Sequence, residues 1–210
     1  MLDASVLLPF VAAVVVIALT PGPDMTFFLG RALSSGRAAG LAAVAGAGTG
    51  LLVHTLLVAL GVSALIVAAP AAFAALKIAG ALYLLWLAFQ AIRHGSALRL
   101  PSHAAPRSGL LGTWASGVAI NVLNPKVALF FLTFLPQFVS ATDPHAAAKL
   151  FLLGSIFILL GSAINLAIVL AADRFATGMR ANPRVARALD WLFASIFAAF
   201  AARLLFARAH

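Results

Sequence analysis

Apolar runs of about 18 or more residues recur along the whole chain, each long enough at about 1.5 Å per helical residue to cross a hydrocarbon layer of about 30 Å. In lipid, backbone N–H and C=O groups must be satisfied within the segment or within a closed barrel. These runs lack the alternation of barrel strands, so helices are expected. Hydrophobic residues make up 64% of the 210 residues and charged ones 9%, too much apolar surface for the core of one soluble domain. The expectation is an all-α membrane protein, one domain over 1–210 in contact with a lipid bilayer. The formal charge of +9 does not point to nucleic acid, because the 14 Lys and Arg lie scattered without interleaved aromatic residues. Cysteine is absent, which removes disulfide and thiolate chemistry. Residues 1–5 contain Asp3 and no Lys or Arg, so the first run is expected to be a retained helix rather than a cleaved signal.

Six spans are expected, over 5–29, 40–67, 70–92, 113–139, 145–172 and 189–206. The first, third and fifth connectors carry Arg31 and Arg37; Arg93, Arg99 and Arg107; and Arg174, Arg180, Arg184 and Arg187. The opposite face has Lys149, Arg203 and Arg208. Because positive residues favour the cytoplasmic side, both termini are expected outside and the three Arg-bearing loops inside. The stretch from Pro101 to Pro106 is the flexible linker, within a cytoplasmic segment of about 93–112 that separates two halves, about 5–92 and about 113–207. Three spans per half is an odd number, so the second half enters the membrane inverted relative to the first, a transporter signature. Weak likeness between Pro23-Asp24-Met25-Thr26-Phe27-Phe28-Leu29 and Pro125-Lys126-Val127-Ala128-Leu129-Phe130-Phe131 supports that reading.

Both motifs lie in the first helix of their half, and neither can be regular helix throughout. Pro21 and Pro23 lack N–H groups, and the residue before a proline is pushed away from helical angles, so Thr20-Pro21-Gly22-Pro23-Asp24 breaks the first span. At the second break Asn124 is an N-cap candidate, with Pro125 at the first position of the restarted helix. A helix restarting inside the membrane offers free N–H groups and a partial positive charge, suited to a carboxylate. Each break also carries a charge, Asp24 in one and Lys126 in the other, which is costly in lipid and must face inward. Opposite charges at equivalent positions should converge on one cavity, where they match the two ends of a zwitterion such as an amino acid. On this reading Asp24 meets the α-ammonium, and Lys126 with the Asn124 helix start meets the α-carboxylate. The alternative is a permanent Asp24–Lys126 ion pair that locks the halves together.

Other polar residues rank lower. His54 could relay protons or bond a neighbouring helix, and Asn121 could bond substrate or the carbonyls freed by the break. Asn165, Gln90 and Gln137 are expected to join helices or sit at interfaces, and Lys77 to reach outward. Gly46-Ala47-Gly48-Thr49-Gly50, Gly154 and Gly161 fit close helix packing, and Trp86 and Trp114 fit interfacial anchors. An intramembrane enzyme would need a dyad or metal triad; Ser162 with His54 is a poor candidate, and no metal site or cofactor is expected. A passive channel would want rings of like groups, whereas here unlike charges sit in unlike halves.

These stretches also resemble the lysine-exporter (LysE) superfamily, specifically its homoserine and threonine efflux branch, the RhtB-like proteins. The likeness spans nearly the whole chain. It is carried by Leu19-Thr20-Pro21-Gly22-Pro23-Asp24, by Gly50-Leu51-Leu52-Val53-His54, by the 76–87 stretch, by Asn121-Val122-Leu123-Asn124-Pro125-Lys126 and by Phe134-Leu135-Pro136-Gln137-Phe138. The resemblance implies secondary-active efflux of small amino acids or derivatives, driven by the proton gradient, across a bacterial inner membrane. Many members carry Asn where this chain has Asp24. Substrate side chain, coupling stoichiometry and any homo-oligomer stay open.

Overall fold

The computed structural model describes residues 3–62, 69–94, 108–140, 143–174, 177 and 183–206. Helix α1 runs Ala4–Leu19 and ends where Pro21 prevents its continuation; the Thr20 N–H and hydroxyl both turn back to the Val16 carbonyl. Helix α2, Pro23–Ser35, starts with a proline in its first turn and stops at Gly36, whose φ of 89° only glycine adopts readily. The two segments are bent by 52°. Helix α3 starts directly after Gly36 as Arg37–Leu57 and passes into a π-helical turn, Val58–Val62. Helix α4 is Pro70–His94. Helices α5, Leu110–Val122, and α6, Pro125–Leu129, form the second broken pair; its second arm continues as a π turn, Phe130–Phe134, and a 3-10 turn, Leu135–Phe138. This pair is bent by 50°. Helices α7, Ala146–Leu170, and α8, Pro183–Phe206, complete the chain.

Every regular element among the described residues is helical. Arg37–Gly61 and Ala146–Leu170 are each long and apolar enough to cross a membrane, and each bent pair passes the same test as one broken span. That makes two crossings, or up to four. Helix α4 contributes a shorter apolar stretch, Ala74–Gln90. Large apolar side chains such as Leu8, Leu111 and Leu159 lie more than two-thirds exposed, as lipid-facing residues do.

Helix α3 is the hub, packed against α2, α5 and α7, while α4 pairs with α8. Lipid gives no hydrophobic drive for one helix to leave it for another, so close packing between small residues has to hold the bundle. A Cβ on Gly46 would collide with the Trp114 carbonyl, and one on Gly117 would lie 2.5 Å from the Ala43 carbonyl oxygen. The α3–α5 backbones therefore touch along a strip of small residues. Phe130, Phe131, Phe134 and Phe157 pack with ring centroids 5.1 to 6.0 Å apart in one buried cluster.

Several expected boundaries move. Helix α2 extends six residues beyond 29 and takes Arg31 into the helix, where its guanidinium lies over the Phe27 ring. Helix α8 starts at Pro183 rather than 189, so Arg184 and Arg187 are helical; Arg187 Nη1 donates to the Ile92 carbonyl at the end of α4, 3.2 Å away. Hydropathy misses these turns because they are polar. The expected linker at Pro101–Pro106, with Arg99, Arg107, Arg180, Arg208 and the end of the second span, lies outside the described residues, as does the Lys77 side chain.

Candidate functional site

The site is built from the two breaks. At the first, α1 runs out of donors for its last carbonyls: the Thr20 N–H is shared between Val16 and, at 3.3 Å, Ile17, and Pro21 has no N–H to offer the next. The Lys126 side chain fills that gap: its Nζ donates to the Thr20 carbonyl at 2.9 Å and to the Ile17 carbonyl at 3.4 Å. A lysine at the negative end of a helix is favourably placed for the helix dipole as well as for hydrogen bonding. Gly22 is what lets it in, because a Cβ there would stand 3.1 Å from Nζ.

At the second break, Asn124 caps the restarted helix, its Oδ1 accepting from the Lys126 backbone N–H at 3.0 Å. Its Nδ2 donates across the interface to Oδ2 of Asp24 at 2.9 Å, and Asn121 Nδ2 donates to the same oxygen at 3.0 Å. A carboxylate only accepts, so these bonds fix both amides nitrogen-first. Oδ1 of Asp24 is buried without a partner. Each break thus supplies the charged group or amides that satisfy the other.

Asp24 and Lys126 make no direct contact at hydrogen-bonding distance: Lys126 turns to backbone carbonyls and Asp24 to side-chain amides, while Asp143, just before α7, pairs with Lys149 within its start. The Asp143 carboxyl is held below its usual range by the Lys149 ammonium and the His145 N–H. Backbone carbonyls compete because α1 ends facing Lys126, a feature that no residue-by-residue pattern encodes.

Asp24 and Lys126 nevertheless line one hollow, together with Thr20, Met25, Asn121 and Phe157. Its volume is about 30 Å³. Asn165 of α7 lines it too, beyond the helix-joining role expected of it; a lone Asn in an apolar helix carries no signal that separates the two. Asn121 is 2% exposed, and its Oδ1 lies against Gly50, where a Cβ would be 2.6 Å away. His54 does not line the hollow. It sits one layer behind, with Nε2 3.3 Å from the Asn121 carbonyl oxygen and its ring 5.6 Å from that of Phe131. Gln137 bonds its own helix at the Thr133 carbonyl, and Trp114 Nε1 reaches the Thr49 hydroxyl at 3.3 Å. No cluster of metal-ligating side chains occurs among the described residues.

Comparison with known proteins places the chain. The family model described as LysE type translocator matches residues 15–208. The homoserine/homoserine lactone efflux protein of Salmonella typhimurium is 32% identical over 193 residues, 91% of this chain and 92% of its own, and that of Salmonella typhi is equally similar. An uncharacterized membrane protein of Vibrio cholerae is 30% identical over 93% of this chain and 94% of its own. No solved structure matches. With its apolar helices and bent pairs, the chain is a multi-pass membrane protein, a transporter rather than an enzyme, and it belongs to the LysE type translocator family.

Proposed function

We propose that the chain is a secondary-active exporter of small amino acids or their derivatives, homoserine- or threonine-like compounds and homoserine lactone among them. The observation that carries this reading is the single hollow in which an acidic group from one helix break and a basic group from the other stand among apolar walls. The names of the Salmonella relatives support the substrate class. At about 30 Å³ the hollow holds a few waters and not an amino acid, so in this proposal it widens to take substrate.

In this proposal six spans form two inverted three-helix repeats that rock about the hollow and expose it to each side in turn. The near-equal bends of 52° and 50°, each at a proline restart, support that symmetry. Both termini lie outside, with the Arg-bearing loops in the cytoplasm of a bacterial cell; the Asp143–Lys149 pair supports this by neutralising a lysine on the opposite face. Asp24 receives the substrate ammonium, and Lys126, beside the Asn124 helix start, faces the carboxyl end. Asn121 holds Asp24 in place, with His54 behind it. Protonation of Asp24 from outside releases the ammonium, and deprotonation inside restores the site, which couples export to the proton gradient.

Proteoliposomes loaded with labelled homoserine test the reading. Saturable efflux, accelerated by unlabelled homoserine on the far side and by an imposed pH gradient, is expected. Linear flux without counterflow would make the protein a pore.

A further inference from the structure

Each proline break removes a backbone donor, and its position names the carbonyl left short. A helical carbonyl accepts from the N–H four residues on, so Pro21 fails Ile17 and Pro125 fails Asn121. At the first break Lys126 reaches the Ile17 carbonyl from the other half. At the second, the Asn124 N–H closes a tighter turn onto the Asn121 carbonyl at 3.0 Å, which leaves one lone pair open. His54 Nε2, from α3, lies 3.3 Å from that oxygen.

A carbonyl oxygen only accepts, so Nε2 must carry the hydrogen and donate it. The ring stands in for the N–H that Pro125 lacks. Helix α3 fits Asn121 at a second point. Gly50, one turn before His54, leaves room for the Asn121 side chain, whose Oδ1 would lie 2.6 Å from a Cβ there. Gly50 and His54 share one helix face and meet the same residue, one at its side chain and one at its carbonyl. The turn held in this way, Asn121 to Asn124, carries both amides that donate to Oδ2 of Asp24.

We infer that His54 is a positioning residue: as a surrogate backbone donor it pins the second break, and through the Asn121–Asn124 turn it holds the two amides on Asp24. It does not line the hollow, so it acts on the substrate site only through that turn. Nor does Nε2 lead a proton to Asp24, because the carbonyl it faces accepts a hydrogen bond and has no proton to hand on. Its effect on transport rests on the export reading above, whereas its donor role stands on the geometry.

Two measurements on the full chain test this. Nitrogen NMR of protein labelled in its histidine rings, with the His54 signal assigned by its loss in His54→Gln, should show Nε2 protonated at every pH where the protein transports. A bare Nε2, with the ring's proton on Nδ1, would overturn the inference, whatever the variants do to the fold. In proteoliposomes, His54→Leu removes the donor, while His54→Gln keeps one on an amide of similar reach. The Leu variant should raise the half-saturating homoserine concentration about fivefold, the worth of one buried hydrogen bond, with little change in maximal efflux. The Gln variant should restore the wild-type value and leave the pH profile of efflux unshifted. Unchanged half-saturation in folded His54→Leu, an equal defect in both variants, or a shifted pH profile in His54→Gln would each contradict the positioning role. Absence of saturable homoserine efflux from well-folded wild-type protein would instead sink the export reading, and the ring's proton would then decide the donor role by itself.

Discussion

The two helix breaks solve one physical problem with opposite means. The first has no side chain of its own to satisfy the groups it exposes: Gly22 stands at its N-cap and prolines flank it, so its carbonyls wait for Lys126 from the other break. The second is self-capped through Asn124 and has amides to spare, which it lends to Asp24. Neither break is satisfied alone. Two prolines make the first break geometrically stiff but chemically needy, whereas the second is chemically rich but relaxes into π and 3-10 turns over Phe130–Phe138. The difference teaches that the bundle is joined across the hollow by complementary needs rather than by an ion pair.

If that is right, the largest effect should come from Lys126→Met. It orphans the end of α1 and leaves Asp24 without a nearby cation, so thermal unfolding in detergent should show a loss of about 3 kcal/mol or more, with transport abolished. Asp24→Asn sharpens the contrast. The new amide oxygen can still accept from Asn121 and Asn124, so stability should change little while homoserine efflux falls at least about tenfold. Gly22→Ala tests the access route of Lys126: its Cβ meets Nζ, and a cost of about 1–3 kcal/mol is expected, against almost none for Gly61→Ala, where the space is open. Asn124→Ala should cost about 1 kcal/mol for the lost cap and weaken substrate affinity through Asp24. His54→Gln should do least. A large change in the pH dependence of efflux in that variant would restore His54 as a proton relay and break the two-break account.

Much of the architecture was written in local chemistry. Apolar runs without alternation require helices, and Pro21, Pro23 and Pro125 mark where helices stop and restart because a missing N–H acts at its own position. That Asp24 and Lys126 face inward follows from the cost of exposing charge to lipid. What remained hidden depends on reach across space. Lys126 chooses carbonyls of α1 that carry no side-chain signature, and Asn165 borders the hollow only because α7 happens to turn that face to it. The polar extensions of α2 and α8 escape a hydropathy reading for the same reason that they suit a membrane surface. His54 looked equivalent to Asn121 in sequence, yet one packing layer separates it from the hollow.

The most direct test uses the natural absence of cysteine. A single Asn165→Cys substitution places a thiol on the wall of the hollow facing both breaks, and its alkylation rate by a small thiol reagent can be followed in proteoliposomes that still transport. Saturating homoserine should slow that reaction strongly, with half-protection at the concentration that half-saturates efflux. Alkylation unaffected by homoserine, in protein whose efflux is saturated, would place the substrate elsewhere and contradict the account.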